Sequence, residues 1–337
     1  MIRVGINGFG RIGRLAFREM ITTTDFDVVA INDLTKAEDL AYLLKYDTNH
    51  RRFHPDEISF SDDEIIINNS KRIKVYSEKD PESLPWKELN IDLVLECSGH
   101  FTKKEDAEKH IIAGAKKVLI SAPSSTEGVK TIVYNVNDNI IDGTETVLSA
   151  ASCTTNCIAP ILKIIEDAIG IEKGFMSTIH AYTNDQATLD IAHKKGISSR
   201  RGRACAQNIV PASTGAAKAI GLVIPSLQNK LDGVAYRVPV SDGSLIDLTI
   251  EPKRNTTIDE IHNLIKEAKN ETIDITFDPI VSSDILGRSL GCLIDGLSTK
   301  IVDVNGKQLI KIVGWYDNEY GYTSQMMRTA RVLFKVN

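Results

Sequence analysis

The run Gly8-Phe9-Gly10-Arg11-Ile12-Gly13 constrains this chain more than any other feature, because of what stands on either side of it. Before it, Val4-Gly5-Ile6-Asn7 reads as a buried strand. After it, Leu15, Ala16 and Met20 fall at helical spacing. A turn from strand to helix in so few residues is tight, and Gly8, Gly10 and Gly13 let backbone approach backbone, or a bound phosphate, with no Cβ in the way. A second strand, Val28-Val29-Ala30-Ile31-Asn32, leads to Asp33, an acid 20 residues beyond Gly13. Strand, glycine turn, helix, strand and acid at that distance describe a βαβ unit that holds a dinucleotide. The pyrophosphate lies on the helix N-terminus and the acid bonds the adenosine ribose hydroxyls. The alternative is an ordinary βα turn with no ligand.

Residues 65–67, 72–76, 91–97 and 117–120 read as further strands, with a helix over 103–113 between the last two. Two of these strands stop at small polar residues, Ser98-Gly99 and Ser121-Ala122-Pro123. In an open parallel sheet the ligand lies beyond the carboxyl ends of the strands, so both loops are expected to line the dinucleotide groove. The pattern predicts an α/β fold whose first domain, residues 1–152, is a Rossmann-type doubly wound parallel sheet. After about residue 170 the pattern changes. Residues 175–182, 233–240, 244–250, 291–294 and 309–315 read as strands, with helices over 213–222 and 258–268. This predicts an α+β catalytic domain, residues 153–318, with a mixed, largely antiparallel sheet. The last amphipathic stretch, about 319–337, is expected to be a helix that packs back on the first domain. A chain of 337 residues is long enough for each domain to bury its own core.

Between the two halves stands Ser152-Cys153-Thr154-Thr155-Asn156-Cys157. A short strand-like run, Thr146-Val147-Leu148, precedes it, and Ile158, Ile161, Leu162, Ile165 and Ile169 follow at helical spacing. Cys153 is therefore expected in the first turn of a helix, with Ser152 as its cap. Free N–H groups and the positive end of the dipole favour a thiolate there, which makes Cys153 a candidate nucleophile. The plain alternative is a small buried cysteine that only packs. Cys157 is read that way: it lies one turn along the helix, where Cβ atoms are about 5–6 Å apart, too far for an undistorted disulfide.

Composition removes several classes of function. The five cysteines are irregularly spaced and form neither a zinc pattern nor a secreted disulfide framework, so no metal is expected and the cytoplasm is the expected compartment. No apolar stretch approaches the ~18 residues of a membrane span. Met1 to Asn7 reads as a strand, not as a signal peptide. A net charge of −5 gives no reason to expect nucleic acid or a membrane surface as partner.

Three features of the second half carry chemistry. His180 ends a strand, and beside a thiol it would be the natural base. Ser213-Thr214-Gly215-Ala216-Ala217-Lys218 puts a hydroxyl and a glycine at a helix start, which suits an anion or ordinary capping equally well. Arg237 lies among the apolar residues Val234, Ala235, Tyr236 and Val238, and needs either a buried carboxylate or a bound phosphate. Residues 194–203 form the one basic cluster. Without interleaved aromatics it suits a loop over anionic ligands better than single-stranded nucleic acid.

Taken in order, Asn7 to Arg14, Ala151 to Cys157, His180-Ala181-Tyr182-Thr183, Asn208 to Lys218 and Trp315 to Gly321 resemble phosphorylating glyceraldehyde-3-phosphate dehydrogenase. The resemblance implies that Cys153 is the nucleophile and His180 its base. It implies that Ser152, Thr154, Thr183, Arg201, Thr214, Gly215 and Arg237 hold the substrate phosphate and inorganic phosphate. Arg11, Ile12, Asp33 and Ser121 would contact NAD, and Asn318 its nicotinamide carboxamide. It also implies glyceraldehyde 3-phosphate as substrate and a homotetramer. One position departs from the family: Ala192 stands where NAD-specific members usually carry proline, while Asp33 repels a 2′-phosphate and argues for NAD.

Overall fold

The computed structural model describes residues 1–335. Contacts divide it into two compact units, one of Met1–Ile132, Asp138–Ala151 and the chain from Met326, the other of Val133–Asn137 and Ser152–Gln325.

The first unit is built on a nine-stranded sheet. In spatial order its strands are 130–131, 147–149, 117–120, 93–96, 2–7, 26–32, 71–76, 64–67 and 58–61. Every pairing from the first to 71–76 is parallel. The last two are antiparallel and form an edge. A parallel sheet is covered on both faces, so its strands should be apolar without alternation. They are: Val4, Ile6, Leu93, Val94, Leu95, Val118, Leu119 and Ile120 are all fully buried. Strand Ile2–Asn7 lies between 26–32 and 93–96, so the strand order reverses there. The carboxyl end of that strand is the position where such sheets bind ligands. The edge strand Ile58–Ser61 escaped the sequence reading because only Ile58 is buried.

In the second unit a sheet runs in the order 210–213, 231–238, 171–181, 244–252, 307–316, 292–295 and 273–276, with 300–304 also paired to 307–316. Strands 171–181/231–238 and 273–276/292–295 are parallel and the other pairings antiparallel. The turn at Ser241–Ser244 does not join neighbours, because strands 231–238 and 244–252 flank 171–181 on opposite sides. Along 171–181, Met176, Thr178 and His180 are buried. On the opposite face Phe175 is 70% exposed. Helix Cys153–Ala168 packs on the buried face through Ile158, Ile161, Leu162 and Ile165.

Two expected boundaries moved. Ser213 is the last residue of a strand, and the helix begins at Ala216 and runs to Val223. The strand signal was hidden because Val210–Ser213 is only four residues long and contains Pro211, tolerated at this edge of the sheet. The final helix runs Tyr320–Leu333 and ends before a left-handed Lys335 (φ 54°). Residues 336 and 337 of the expected helix lie outside the described residues. Within the first unit Arg331 bonds Asp25 at 2.8 Å and stacks over Phe26. No helix among the described residues is long and apolar enough to cross a membrane.

Candidate active site

The glycine turn of the first unit is built by close approach. Gly8 has φ +89°, and a Cβ there would lie 2.5 Å from the Ser98 backbone nitrogen. A Cβ on Gly13 would collide with the Gly8 carbonyl oxygen, whereas one on Gly10 would meet nothing within 4 Å. Gly10 is the N-cap of helix Arg11–Met20, and no side chain caps it. An uncapped helix start beside open space fits a pyrophosphate. Asp33 is held by backbone donors, Phe9 N–H at 2.8 Å on Oδ2 and Thr35 N–H at 2.9 Å on Oδ1. Ile12 lies in the first helical turn. Ser121 follows strand 117–120 and its N–H donates to the Glu96 carbonyl at 3.0 Å.

Arg11 differs from the expectation in one respect. Its guanidinium is engaged by Asp47, with Nη2 donating to Oδ1 at 3.0 Å. Burial acts to raise the Asp47 carboxyl, but bonds from Arg11 and the His50 N–H outweigh it and hold the group at about 2. The Arg11 side chain is thus committed to Asp47, and its backbone at the helix start is what it offers a cofactor. Beneath the turn lies a polar cluster that sequence reading missed. Glu96 accepts from Asn7 Nδ2 at 2.6 Å, Ser98 N–H at 2.8 Å and His110 at 3.0 Å. Trp86 Nε1 can only donate, so His110 Nδ1 accepts its bond and Nε2 carries the proton toward Glu96.

In the second unit Cys153 opens its helix, and Ser152 caps it by accepting from the Thr155 N–H at 3.1 Å. His180 comes from the adjoining strand, with Nε2 3.4 Å from Cys153 Sγ. Parallel register pairs His180 with Arg237 on the next strand. The Ala181 carbonyl lies 2.7 Å from His180 Nδ1 and 3.0 Å from Arg237 Nη1. A carbonyl only accepts, so Arg237 donates to it and a proton on His180 Nδ1 would do the same, while Arg237 Nη1, which can only donate, also stands 2.7 Å from Nδ1. The Nδ1-protonated tautomer is the one that turns the Nε2 lone pair toward the sulfur. Tyr316, fully buried, bonds Thr154 Oγ1 at 3.0 Å and Thr178 Oγ1 at 2.8 Å, with its ring edge-on to His180. Sequence reading gave Tyr316 no role. Its signal was a phenol at the end of an apolar strand, which must find hydrogen-bond partners once buried.

The expectation of a thiolate favoured outright by the helix start needs correction. Burial pushes the Cys153 thiol up, against the pull of Arg237 and of bonds from Thr154. Burial, then the Arg237 charge, depress the His180 imidazole to about 3. The free site therefore favours an uncharged thiol and an uncharged imidazole able to take a proton. Cys157 is fully buried, its Sγ 3.8 Å from the Gly314 carbonyl, and serves packing.

The remaining anion-site candidates lie in the same unit. Arg237 has no carboxylate partner among the described residues, and its buried Nε has no hydrogen bond. Thr183 and Arg201 both bond Asp185. Thr214 accepts from the Ala216 N–H at 3.2 Å, and Gly215 is the uncapped start of helix Ala216–Val223. Asn318 accepts from Ser244 at 2.6 Å. The structure thus gathers Cys153, His180, Arg237 and Thr154 by direct contacts or a shared partner. It keeps Gly8, Gly10, Arg11, Ile12, Gly13, Asp33 and Ser121 in the other unit.

Comparison with known proteins follows the same division. Residues 2–104 match the model of the glyceraldehyde 3-phosphate dehydrogenase NAD binding domain, and 152–318 that of the C-terminal domain. The chain is 57% identical over 336 residues to a glyceraldehyde-3-phosphate dehydrogenase of Clostridium pasteurianum, covering all of this chain and 99% of that one. At the same coverage it is 56% identical to one of Clostridium acetobutylicum and 54% identical to one of Streptococcus pyogenes.

Proposed function

The chain belongs to the glyceraldehyde 3-phosphate dehydrogenase family, and on that premise we propose that it oxidises and phosphorylates D-glyceraldehyde 3-phosphate to 1,3-bisphosphoglycerate through a thioester on Cys153. The observation that carries the reading is the Cys153–His180 pair at 3.4 Å, with the Ala181 carbonyl 2.7 Å from His180 Nδ1, where it would accept the proton of the tautomer that acts as base. Cys153 sulfur adds to the aldehyde carbon and its proton passes to the oxygen, giving a hemithioacetal. His180 Nε2 then takes that hydroxyl proton as the carbonyl re-forms. NAD supplies the hydride acceptor for this oxidation. Inorganic phosphate attacks the thioester, and the departing sulfur recovers a proton from His180. The Cys153 N–H, in a helical turn whose first donors have no intrahelical partner, suits the developing oxyanion.

Gly8, Gly10 and Gly13, the N–H groups of Arg11 and Ile12, Asp33 and Ser121 would hold the cofactor, with Asn318 on its carboxamide. Arg237, Thr183 and Arg201 would hold the substrate phosphate, displacing Asp185 from the latter two. Thr214 and Gly215 would hold the attacking phosphate, and Ser152 and Thr154 would complete the two phosphate sites. Asp33 supports NAD over NADP, and equal catalytic efficiency with the two would count against that preference. We extend the reading to a cytoplasmic homotetramer, supported by the free state of Cys153 and by the exposed Phe175 and Tyr236 on the outer face of the second sheet.

The deciding assay follows absorbance at 340 nm with glyceraldehyde 3-phosphate and NAD, with and without inorganic phosphate. Strong dependence on phosphate is the expected result. Turnover indifferent to phosphate would mean that water takes the thioester, and the assignment of Thr214 and Gly215 would fall.

A further inference from the structure

We infer that Ser244 is a positioning residue that fixes which way the Asn318 amide faces, and so makes the site selective for a carbonyl oxygen on the cofactor ring. This rests on the reading of Asn318 given above.

A hydroxyl has one proton to donate, and the partners of Ser244 determine where it goes. Ser244 is fully buried at the start of strand Ser244–Pro252. Its Oγ accepts the Ala181 N–H at 3.0 Å and donates to Asn318 Oδ1 at 2.6 Å. With the backbone donor on one lone pair, its proton has Asn318 Oδ1 as acceptor, and the opposite amide orientation would leave that proton with no acceptor among the described residues. The Asn318 Nδ2 is thereby turned away from Ser244. Asn318 is 6% exposed, yet Nδ2 donates to no protein group among the described residues. A nearly buried amide nitrogen with both protons uncommitted is a donor aimed at a ligand acceptor. In a nicotinamide ring the matching atom is the carboxamide oxygen.

The same peptide links this clamp to the chemistry. The Ala181 carbonyl lies 2.7 Å from His180 Nδ1, and the Ala181 N–H anchors Ser244. Asn318 and the base are therefore positioned from opposite sides of one residue. Nothing in the sequence marks Ser244, which stands in the turn Asp242-Gly243-Ser244 as an ordinary turn residue would.

The test compares the wild-type full-length enzyme with Ser244→Ala and Asn318→Ala, using NAD and two analogues. Acetylpyridine adenine dinucleotide keeps the carbonyl oxygen and loses the amide nitrogen. Thionicotinamide adenine dinucleotide replaces the oxygen with a weakly accepting sulfur. The wild type should prefer NAD over the thio analogue while accepting the acetyl analogue. Ser244→Ala should raise KM for NAD about tenfold, the order expected for one oriented hydrogen bond, and shrink the preference over the thio analogue toward that of Asn318→Ala. Its affinity for ADP-ribose, which lacks the ring, should match wild type. If Ser244→Ala weakens ADP-ribose equally, the residue is merely structural and the inference is overturned. If it keeps the wild-type analogue preference while Asn318→Ala loses it, Ser244 does not orient the amide. If Asn318→Ala also keeps that preference, the reading of Asn318 itself fails.

Discussion

Arg237 acts on both members of the Cys153–His180 pair, and with opposite consequences. A nearby cation stabilises a thiolate and destabilises an imidazolium, so it lowers both pKa values. The first effect makes the nucleophile available and the second keeps His180 free to accept a proton. Replacing Arg237 by Gln should therefore move the midpoint of Cys153 alkylation by iodoacetamide to higher pH, measured as rate against pH. An unchanged midpoint would show that the arginine has no electrostatic hold on the sulfur. The depressed His180 also bears on stability. Between its folded value of about 3 and the ordinary value near 6.5, the unfolded chain binds a proton that the folded protein refuses. Stability from this group is thus complete above about 6.5 and falls with pH down to about 3, by up to about 1.4 kcal/mol per unit. His180→Asn should flatten that part of the curve in urea melts taken between pH 4 and 7. A parallel curve would assign the acid sensitivity elsewhere. Cys153, His180 and Arg237 were legible as residue types in unusual places. The meeting of His180 and Arg237 at one carbonyl beside Cys153 was not, because no local pattern records which strands will be neighbours.

Two elements are built around a backbone that must come close to something, and they answer substitution differently. A Cβ on Gly13 would strike the Gly8 carbonyl, so Gly13→Ala must displace the helix start itself. Gly10 has open space around it and φ −72°, which alanine adopts without strain. Gly10→Ala should leave the urea midpoint within experimental error and still weaken NAD at least tenfold by titration, because its methyl group enters the space the pyrophosphate needs. NAD affinity unchanged in Gly10→Ala would remove the ligand from that helix start. Gly13→Ala should lower stability and binding together. At the other helix, Ser152→Ala removes the cap on the Thr155 N–H and should cost about 1 kcal/mol in denaturant unfolding. These local devices were readable because caps, glycine turns and helical spacing act within a few residues of chain. Sheet order was not, since strands 231–238 and 244–252 follow one another yet lie on opposite sides of 171–181. The cluster of Asn7, Glu96, His110 and Trp86 escaped for the same reason. Its members are up to 103 residues apart and each looks ordinary alone.

The catalytic sheet of the second unit spends one face on helix Cys153–Ala168 and presents the other outward. Register puts Phe175, Ile179, Val234, Tyr236, Leu245 and Val313 on that outer face together with Ser177, Asp232, Thr249 and the ion pair of Lys311 with Asp247 at 2.8 Å. Phe175 is 70% exposed and Tyr236 37%. Exposed aromatic side chains on such a mixed face offer a surface to a partner, because leaving them in water forgoes about 25 cal/mol for each Å². A second copy of the chain is the partner the family reading supplies. The residues that would face it alternate with His180 and Thr178, so on that reading one strand would serve assembly on one side and catalysis on the other. Light scattering coupled to gel filtration should give a mass near four times the 37.1 kDa of the chain. Introducing a charge with Phe175→Glu should shift the population to smaller species, since an unpaired carboxylate would have to be desolvated at each such contact. Because Phe175 points away from Cys153 and His180, any loss of activity in that variant should track dissociation and recover as protein concentration rises. A Phe175→Glu enzyme that keeps the wild-type mass would place the subunit contacts on another surface of the molecule. One that loses activity without dissociating would show that the two faces of the strand are not independent.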